Sequence, residues 1–419
     1  MQEIVRGSVT QSDAGDSEDR LSALFSTAIS AVSADAVMPR LLPPAHRRLV
    51  VIAIGKAAVP LMAAAQARSP RPFGGLVVAP HGHVPAGTGW PRVTVRTAGH
   101  PVPDPDSQAA ADAALALARG LGPGDHLLML VSGGGSALLA APVAGVTLAD
   151  KAALTQALLR SGAAIAEINC VRRALSRIKG GRLAAAAAPA AVTTWVISDI
   201  PGDDAALVAS GPTLAGDTGD AAAVVARYGI SVPPGVAAEL AAAAPAAVPP
   251  GDVQILARAR DALDAAGRAA AALGYGVISL GDDLQGEARA IGAAHAALAR
   301  QAPARTAIIS GGETSVTVTG QGGRGGRNLE YALALAIGLD GARGITALAA
   351  DSDGIDGSSH AAGARIGPDT LARARARGLD PAAFLAANDA HGFFAALGDL
   401  LVTGPTLTNV NDIRIILVD

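Results

Sequence analysis

A lysine and an arginine beside glycine-rich segments are the residues best suited to chemistry in this sequence. Lys56 directly follows the apolar run Leu49–Ile54, where a lysine in a cleft could neutralise transferring phosphoryl oxygens. A solvated lysine at a helix start is the alternative, which the helix dipole disfavours. Arg327 ends segment 320–327, which holds five glycines and two arginines. Backbone N–H and guanidinium groups of this kind can bind phosphate. The alternative interpretation of segment 320–327 is a flexible surface loop.

Two Ser-Gly-Gly loops follow apolar runs, one in each half of the chain. Their residues are Ser132, Gly133, Gly134, Gly135 and Ser136 in the first, and Ser310, Gly311, Gly312, Glu313 and Thr314 in the second. Glycines let the backbone turn several N–H groups toward one point, which makes an anion-binding nest. The first loop is equally well a tight turn between a strand and a helix. Two such loops could face each other across a cleft.

The glycines of segment 320–327 also satisfy the dinucleotide fingerprint G-x-G-x-x-G. Gly320, Gly322 and Gly325 occupy its three positions. The carboxylate that binds the ribose is expected roughly 20 residues further on, whereas Asp351 lies about 26 residues beyond Gly325. The two arginines therefore favour phosphate handling over a dinucleotide.

Carboxylates collect where apolar runs end. The candidates for metal binding are Asp199, Asp204, Glu313, Asp351 and Asp353. Oxygen ligands of this kind suit Mg²⁺ held together with substrate phosphates. Asp and Gly also form ordinary turns, so we expect only about half of the acids to face a site.

The composition excludes several classes of protein. The chain has 419 residues, a formal net charge of -3 and only 2% aromatic residues, which is unlike the basic, ring-bearing surfaces that bind nucleic acid. Cys170 is the only cysteine, so no intrachain disulfide can form. A Walker A motif and a nucleophile elbow are absent. The acidic start and interrupted apolar runs predict a cytoplasmic protein without a membrane partner.

Short aliphatic runs alternate with Ala- and Leu-rich helical segments, which predicts an α/β fold with parallel sheets. Predicted strands include segments 127–131 and 315–318, and predicted helices include segments 106–119 and 328–338. Segment 241–251 holds three prolines and reads as a linker. We therefore expect a flexible tail over 1–20, an N-terminal α/β domain over 21–245 and a C-terminal domain over 252–419.

The ordered motifs resemble the glycerate 2-kinases, or class II glycerate kinases, whose C-terminal part is the MOFRL domain. The resemblance covers the chain from about Leu21 to Asp419. It rests on the residues 54–57, 99–104, 132–139, 178–181, 198–204, 210–213, 310–314, 325–328, 353–357 and 403–412.

The resemblance implies two α/β domains with mainly parallel Rossmann-like sheets flanked by helices, and an active site in the interdomain cleft. It implies phosphorylation of D-glycerate by ATP with Mg²⁺, at the 2-hydroxyl, to give 2-phosphoglycerate. Lys56 and Arg327 match the family's active-site lysine and arginine. Substrate or nucleotide would contact Ser132, Gly133, Gly134, Gly135, Ser136, Gly311, Gly312, Thr314, Gly325, Gly326 and Asn328. A homodimer is compatible with the sequence.

Three positions depart from the family pattern. Ala174 stands where histidine is frequent, Leu329 where glutamine is frequent, and Asp351-Ser352 where Gly-Thr is common. Two other functions stay open. An NAD(P)H-dependent hydroxypyruvate reductase would use the fingerprint glycines but needs a ribose-binding acid and a proton-donating histidine, and neither is evident. A non-enzymatic sensor of small anions would leave the basic and acidic residues of both halves in excess.

Overall fold

The computed structural model of the chain describes residues 11–45, 47–216, 219–242, 251–319 and 323–419. They form two compact units. Of the described residues, the N-terminal unit holds those in Ser33–Arg258 and Leu407–Val410, and the C-terminal unit holds those in Met1–Val32, Ala259–Thr406 and Asn411–Asp419. Among the described residues, each unit builds one six-stranded sheet.

The secondary structure alternates along the chain as an α/β protein requires. The strands are β1 (Leu49–Ile54), β2 (Gly74–Pro80), β3 (Val93–Ala98), β4 (His126–Val131), β5 (Ala191–Ile197), β6 (Asp252–Ala257), β7 (Gly276–Ser279), β8 (Thr306–Ser310), β9 (Ile345–Asp351), β10 (Gly363–Ile366), β11 (Leu400–Leu401) and β12 (Asp412–Val418). The helices are α1 (Gln11–Ala31), α2 (Ala34–Val37), α3 (Ala58–Arg68), α4 (Pro105–Arg119), α5 (Gly135–Leu138), α6 (Leu148–Arg160), α7 (Ile165–Ala174), α8 (Arg182–Ala187), α9 (Ala221–Arg227), α10 (Pro234–Ala241), α11 (Ala259–Ala272), α12 (Ala288–Gln301), α13 (Arg327–Leu339), α14 (Thr370–Ala376), α15 (Pro381–Ala386) and α16 (Ala390–Leu397). None of these helices is long and apolar enough to cross a membrane.

The sheet of the N-terminal unit is parallel throughout, in the order β3-β2-β1-β4-β5-β6. From β1 the chain builds outward through β2 and β3, and then returns to the other side of β1 with β4. Connections that leave two neighbouring strands in opposite directions open a crevice at the strands' carboxyl ends, where ligands bind in open α/β sheets. This crevice lies between the ends of β1 and β4.

The sheet of the C-terminal unit is mixed, in the order β11-β10-β9-β12-β8-β7. Strands β7, β8, β9 and β11 run in one direction, but β12 lies antiparallel between β8 and β9, and β10 is antiparallel to its neighbours. The predicted α/β class is confirmed, with this refinement of the second sheet. Strand β12 is buried at every position, and a continuous apolar run looks the same whichever way the strand runs.

Local sequence signals explain where the helices of the N-terminal unit begin. Helix α4 starts after Asp104, whose side chain accepts from Ser107 N while the Ser107 side chain accepts from Asp104 N. Helix α6 starts with the same reciprocal box between Thr147 and Asp150. Capping boxes satisfy backbone donors that have no partner inside the helix, and the Ala- and Leu-rich sequences that follow propagate it.

The structure differs from the sequence interpretation at one predicted strand. Segment 315–318 forms no strand: Ser315 makes an isolated bridge to Glu287, and Val318 is 70% exposed. The prediction was wrong because a short apolar run carries no evidence that a neighbouring strand exists to pair with it.

The compact units also have bounds other than those expected. Strand β6 pairs with β5 and so extends the sheet of the N-terminal unit, and α1 packs on α11 within the C-terminal unit. Of the expected tail over 1–20, residues 1–10 lie outside the described residues, and α1 begins at Gln11. Most of the expected linker, residues 243–250, also lies outside them.

Candidate active site

Gly55 and Ser132 join the carboxyl ends of β1 and β4 in the N-terminal unit. Ser132 Oγ donates to Ile54 O (3.1 Å) and accepts from Ala57 N (3.0 Å). Gly55 has a φ of +108°, and a Cβ on it would lie 2.2 Å from Ser132 Oγ. Only glycine fits at position 55. The hydrogen bonds of Ser132 and this close approach hold the loops after β1 and β4 against each other at the crevice.

Lys56 lies beside the first glycine loop. Its backbone N–H donates to Gly133 O at 2.9 Å. A Cβ on Gly134, which has a φ of +83°, would lie 3.0 Å from His100 Nε2 and 3.7 Å from Lys56 Cγ. The lysine stem and the imidazole of His100 therefore lie against the loop, and the structure brings Lys56, Gly133 and Gly134 together.

Asp199 reaches the same loop from the end of β5, whereas Asp204 serves a turn. A Cβ on Gly133 would lie 2.1 Å from both Asp199 Oδ2 and Asn409 Nδ2, and those two atoms form a 2.9 Å hydrogen bond. Asp204 is exposed, and its Oδ1 accepts from Ala206 N at 2.9 Å. Of the two acids, only Asp199 is thus seen against the glycine loop.

Ser136 belongs to a chain of polar groups in the interior of the N-terminal unit. Lys179 Nζ donates to Ser136 O (2.7 Å) and to Ser136 Oγ (3.0 Å). Ser136 Oγ also lies 3.0 Å from Ser210 Oγ, which donates to Asn169 Oδ1. Gly135 is required by close packing instead, because a Cβ there would lie 2.8 Å from Ala209 Cβ.

Arg327 binds three carboxylates at the start of α13 in the C-terminal unit. Its Nε donates to Asp412 Oδ1 (2.8 Å), its Nη1 to Glu313 Oε1 (2.8 Å) and its Nη2 to Asp351 Oδ2 (2.9 Å). Burial works to lower the pKa of the guanidinium, but the attraction of Asp412, Asp351 and Glu313 raises it above its ordinary value. Arg327 is therefore a fixed and permanent positive charge.

Asp412 connects this guanidinium to the second Ser-Gly-Gly loop. Its Oδ1 also accepts from Asn328 Nδ2 (2.7 Å), and its Oδ2 accepts from Arg414 Nη2. Arg414 donates in turn to Gly311 O (2.8 Å) and Thr314 Oγ1 (3.2 Å). Asp412 and Arg414 are 0% and 1% exposed, so a buried ionic network holds the loop.

Asp356 caps helix α13 and fixes the backbone around Asn328. Its two carboxylate oxygens accept from Asn328 N (3.0 Å) and Leu329 N (2.9 Å). Burial raises the pKa of Asp356 to about 7, against the effect of the backbone donors. A Cβ on Gly326 would lie 2.5 Å from Asp356 Cγ, so Gly326 is required by this close approach.

The remaining predicted residues of the C-terminal unit shape its loops. Gly312 has a φ of +101°, and a Cβ on it would lie 2.3 Å from Leu284 N. Gly325, with a φ of +152°, donates from its N–H to Ser358 Oγ. Gly320 and Gly322, the other fingerprint glycines, lie outside the described residues.

The acids proposed as metal ligands do not form a ready three-ligand cluster. Among the described residues, the group whose ligand atoms lie within 4.8 Å of one another is His81, Asp104 and Asp106, and Asp104 is already a helix cap. Asp353 is buried, donates from its N–H to Asp351 Oδ1 (3.0 Å) and accepts from Ile355 N (2.8 Å). The acids near Arg327 are therefore organised first as ion-pair and turn partners.

Sequence reasoning missed several residues that are distant in the chain from the predicted ones. Asp412 and Arg414 lie at the start of β12, and only the motif 403–412 pointed to that part of the chain. Lys151 and Arg172 were assigned no role, and Lys179 entered only through the motif 178–181, although charged residues beside Ala- and Leu-rich helical segments were an available signal.

A Rossmann strand order with basic residues and glycine turns at its strand ends defines a class of α/β protein with an anion-binding type of site. Residues 20–241 match the family model described as a domain of unknown function (DUF4147), and residues 306–412 match that of the MOFRL family. A protein of Agrobacterium vitis, provisionally named hydroxypyruvate reductase, is 51% identical over 88% of this chain and 99% of its own. The D-glycerate 2-kinase of Thermotoga maritima is 36% identical over 92% of this chain and 95% of its own.

A solved structure agrees with these sequence matches. The crystal structure of a glycerate kinase from Thermotoga maritima superposes with a TM-score of 0.86 and 35% identity, covering 96% of this chain and 100% of that one. The chain belongs to the glycerate 2-kinase family with a MOFRL domain, which confirms the resemblance in the sequence motifs.

Proposed function

We propose that the protein is a D-glycerate 2-kinase, which transfers the γ-phosphoryl group of ATP to the 2-hydroxyl of D-glycerate and releases 2-phosphoglycerate and ADP. The observation that carries the proposal is the 36% identity to the D-glycerate 2-kinase of Thermotoga maritima over nearly the full length of both chains. The basic residues at the strand ends support the same chemistry.

Phosphoryl transfer depends mainly on positioning and on neutralising the charge of the phosphoryl oxygens. Arg327 is suited to this task because three carboxylates fix its guanidinium in one orientation. Lys56 is suited to it because the glycine loop places its stem at the carboxyl ends of β1 and β4. We assign the charge-stabilising roles to these two side chains.

The glycine loop after β4 would bind an anionic group of a reactant through its backbone. Gly133 leaves no room for a Cβ, and Gly134 has a φ of +83° that favours glycine, so backbone N–H groups can approach a ligand closely there. We assign the same kind of role to the loop of Gly311, Gly312 and Thr314, which Arg414 fastens in the C-terminal unit.

The acids around Arg327 fit a divalent cation by charge and by donor type. Glu313, Asp351 and Asp412 bind Arg327, and Asp412 also binds Arg414. With the buried Asp353, whose N–H donates to Asp351, four carboxylates accompany two arginines, which leaves an excess of negative charge. Oxygen donors are those that Mg²⁺ prefers. Glu313, Asp351 and Asp353 would hold it in the C-terminal unit, with Asp199 as the candidate in the N-terminal unit. When bound, Mg²⁺ supplies charge neutralisation at the phosphates.

An NAD(P)H-dependent hydroxypyruvate reductase is the second candidate, because the relative from Agrobacterium vitis carries that provisional name. Its ribose-binding acid would be Asp351. However, Asp351 lies about 26 residues beyond Gly325, farther than the roughly 20 expected for a ribose-binding acid, and it pairs with Arg327, to which we assign a charge-stabilising role. This use of Asp351 favours the kinase.

A coupled assay separates the two candidates. The protein is incubated with D-glycerate, ATP and Mg²⁺, and ADP release is followed, while hydroxypyruvate and NADH are supplied in a parallel reaction. Enolase converts 2-phosphoglycerate directly, whereas 3-phosphoglycerate first needs a mutase, so enolase coupling without mutase identifies the product. NADH loss without ADP formation would refute the kinase, and silence in both reactions would favour an anion sensor.

We further expect D-glycerate and ATP as the partners of the protein, and a cytoplasmic location. A homodimer stays a prediction, which multi-angle light scattering at micromolar concentration tests directly.

A further inference from the structure

A cavity of about 390 Å³ adjoins the first glycine loop of the N-terminal unit. Three basic side chains line it, Lys151 from α6, Arg172 from α7 and Lys179 from the turn that follows. We call it the basic cavity. Its volume falls within the range of about 300–1,000 Å³ that small-molecule sites occupy.

The basic side chains of this cavity have no acidic partner in its wall. Of the described residues that line it, none carries a carboxylate, and besides His100 and a few neutral polar residues the rest of the wall is apolar, as at Pro101 and Leu159. Buried cations are ordinarily paired. Two buried lysines and a half-buried arginine around one space, without an acid in its wall, indicate that the counter-charge comes from a ligand.

The hydrogen bonds of the two lysines leave donors for such a ligand. An ammonium group has three N–H donors. Lys151 Nζ uses one on Leu175 O (2.8 Å), and Lys179 Nζ uses two on the backbone and hydroxyl oxygens of Ser136. Within the described part of the chain, both lysines therefore keep at least one donor, and Lys179 joins the cavity to the glycine loop.

The lowered pKa values of the two lysines also favour an anionic ligand in the basic cavity. Burial, with repulsion from Arg172, lowers the pKa of Lys151 to about 7. Burial, with repulsion from Lys151 and Arg172, lowers the pKa of Lys179 well below its usual value. An anion between these groups would relieve both the desolvation and the repulsion.

We propose that the basic cavity binds an anionic oxygen group of a reactant, either a phosphate of the nucleotide or the carboxylate of the hydroxy acid. Only the identity of those two reactants rests on the proposed function. Arg172 is the ligand-binding side chain best suited to a planar or tetrahedral anion, because a guanidinium offers two parallel donors. Lys151 and Lys179 add positive charge from the wall of the same cavity.

The test measures binding directly, by isothermal titration calorimetry on the full-length protein with ATP, D-glycerate and inorganic pyrophosphate as separate ligands. Arg172→Gln is the main variant, because Arg172 is half-buried and its loss should leave the fold intact, as circular dichroism checks. Lys151→Met is the second variant. Arg160→Gln is the matched control, since it removes one positive charge from an exposed position of the same helix as Lys151.

The two variants should raise the dissociation constant of at least one ligand tenfold or more, and the control should not. Weakened ATP and pyrophosphate with unchanged D-glycerate would assign the cavity to the nucleotide, and the reverse to the carboxylate. Unchanged dissociation constants in folded Arg172→Gln, or a wild-type protein that binds none of the three ligands, would overturn the proposal. A protein without kinase activity that binds pyrophosphate through Arg172 would instead refute only the proposed function.

Discussion

Arg327 Nε donates a 2.8 Å hydrogen bond to Oδ1 of Asp412, a carboxylate with no exposed surface. The same carboxylate accepts from Arg414, so one buried acid lies between two arginines. Glu313 and Asp351 bind the remaining nitrogens of Arg327. The orientation of the guanidinium thus depends on residues that come from the ends of three different strands.

Asp412→Asn should be the most damaging conservative change in this network. It leaves two arginines with less negative charge in a buried place, and breaking a buried ion pair costs about 3–5 kcal/mol. Urea denaturation should show a fall of that size in the free energy of unfolding. Glu313→Gln is the control, because its carboxylate is 48% exposed and such pairs contribute only about 0–1 kcal/mol. Equal losses in the two variants would contradict the proposed network.

Lys56→Met should greatly lower the turnover rate without unfolding the protein. Loss of one charge-stabilising donor in an active site lowers kcat by about 10²–10³, and the methionine preserves the stem that lies along the glycine loop. Steady-state kinetics with D-glycerate and ATP measure the fall, and the thermal midpoint checks the fold. Arg71→Met, which removes an exposed positive charge from the same unit, should keep wild-type kcat. Normal activity of Lys56→Met would exclude the assigned role.

Gly133→Ala should disturb the loop by displacing its neighbours. The added Cβ would lie 2.1 Å from Asp199 Oδ2 and Asn409 Nδ2, and overpacking of this kind costs about 1–3 kcal/mol. We expect a lower thermal midpoint and a raised KM for at least one substrate. Gly89→Ala is the control, since a Cβ there meets nothing within 4 Å. A Gly133→Ala enzyme that matches this control would show that the loop has room to adapt.

The stability of the protein should depend on Lys151 in alkaline solution. Its pKa is about 7 in the folded protein and 10.5 as the ordinary value, so between these values the unfolded chain binds more protons than the folded one. The free energy of unfolding then rises with pH across this window, and the penalty of the buried charge is complete below it.

Lys151→Met removes that penalty and should be more stable than wild type at pH 7, with the difference shrinking toward pH 10. Thermal midpoints between pH 6 and pH 10 measure the effect. Gln156→Met changes a neutral residue of the same cavity wall and should keep the wild-type pH dependence. A constant difference between Lys151→Met and wild type at every pH would mean that Lys151 does not titrate in this window.

Local patterns were sufficient to single out several residues of the candidate site. The apolar runs of β1 and β4 end in Gly55-Lys56 and in the loop of Ser132, and a strand end followed by glycine is visible without a structure. The start of α13 at Arg327 was predictable for the same reason, because a glycine-rich segment precedes a helical one. Lys56 and Arg327 therefore emerged from residue type and local context.

Partners distant in sequence were not predictable in the same way. Asp412 lies 85 residues from Arg327 along the chain, and its turn-like sequence context does not reveal an ion pair. Strand β12 runs antiparallel to β8 and β9, which places Asp412 and Arg414 between them. A continuous apolar run does not show whether its strand is parallel or antiparallel to its neighbours. Lys151 and Lys179 likewise became site candidates only because folding places them in one cavity without acids.

The sequence by itself therefore determined the α/β class, the positions of the glycine turns and the two basic residues that follow them, because strand burial, turn geometry and local charge are properties of short segments. The tertiary structure alone decided which acids pair with Arg327 and that Asp204 only stabilises a turn. It also decided that Lys151, Arg172 and Lys179 line one cavity. Those outcomes depend on distances between segments far apart in the chain, and burial then sets whether each charge is matched.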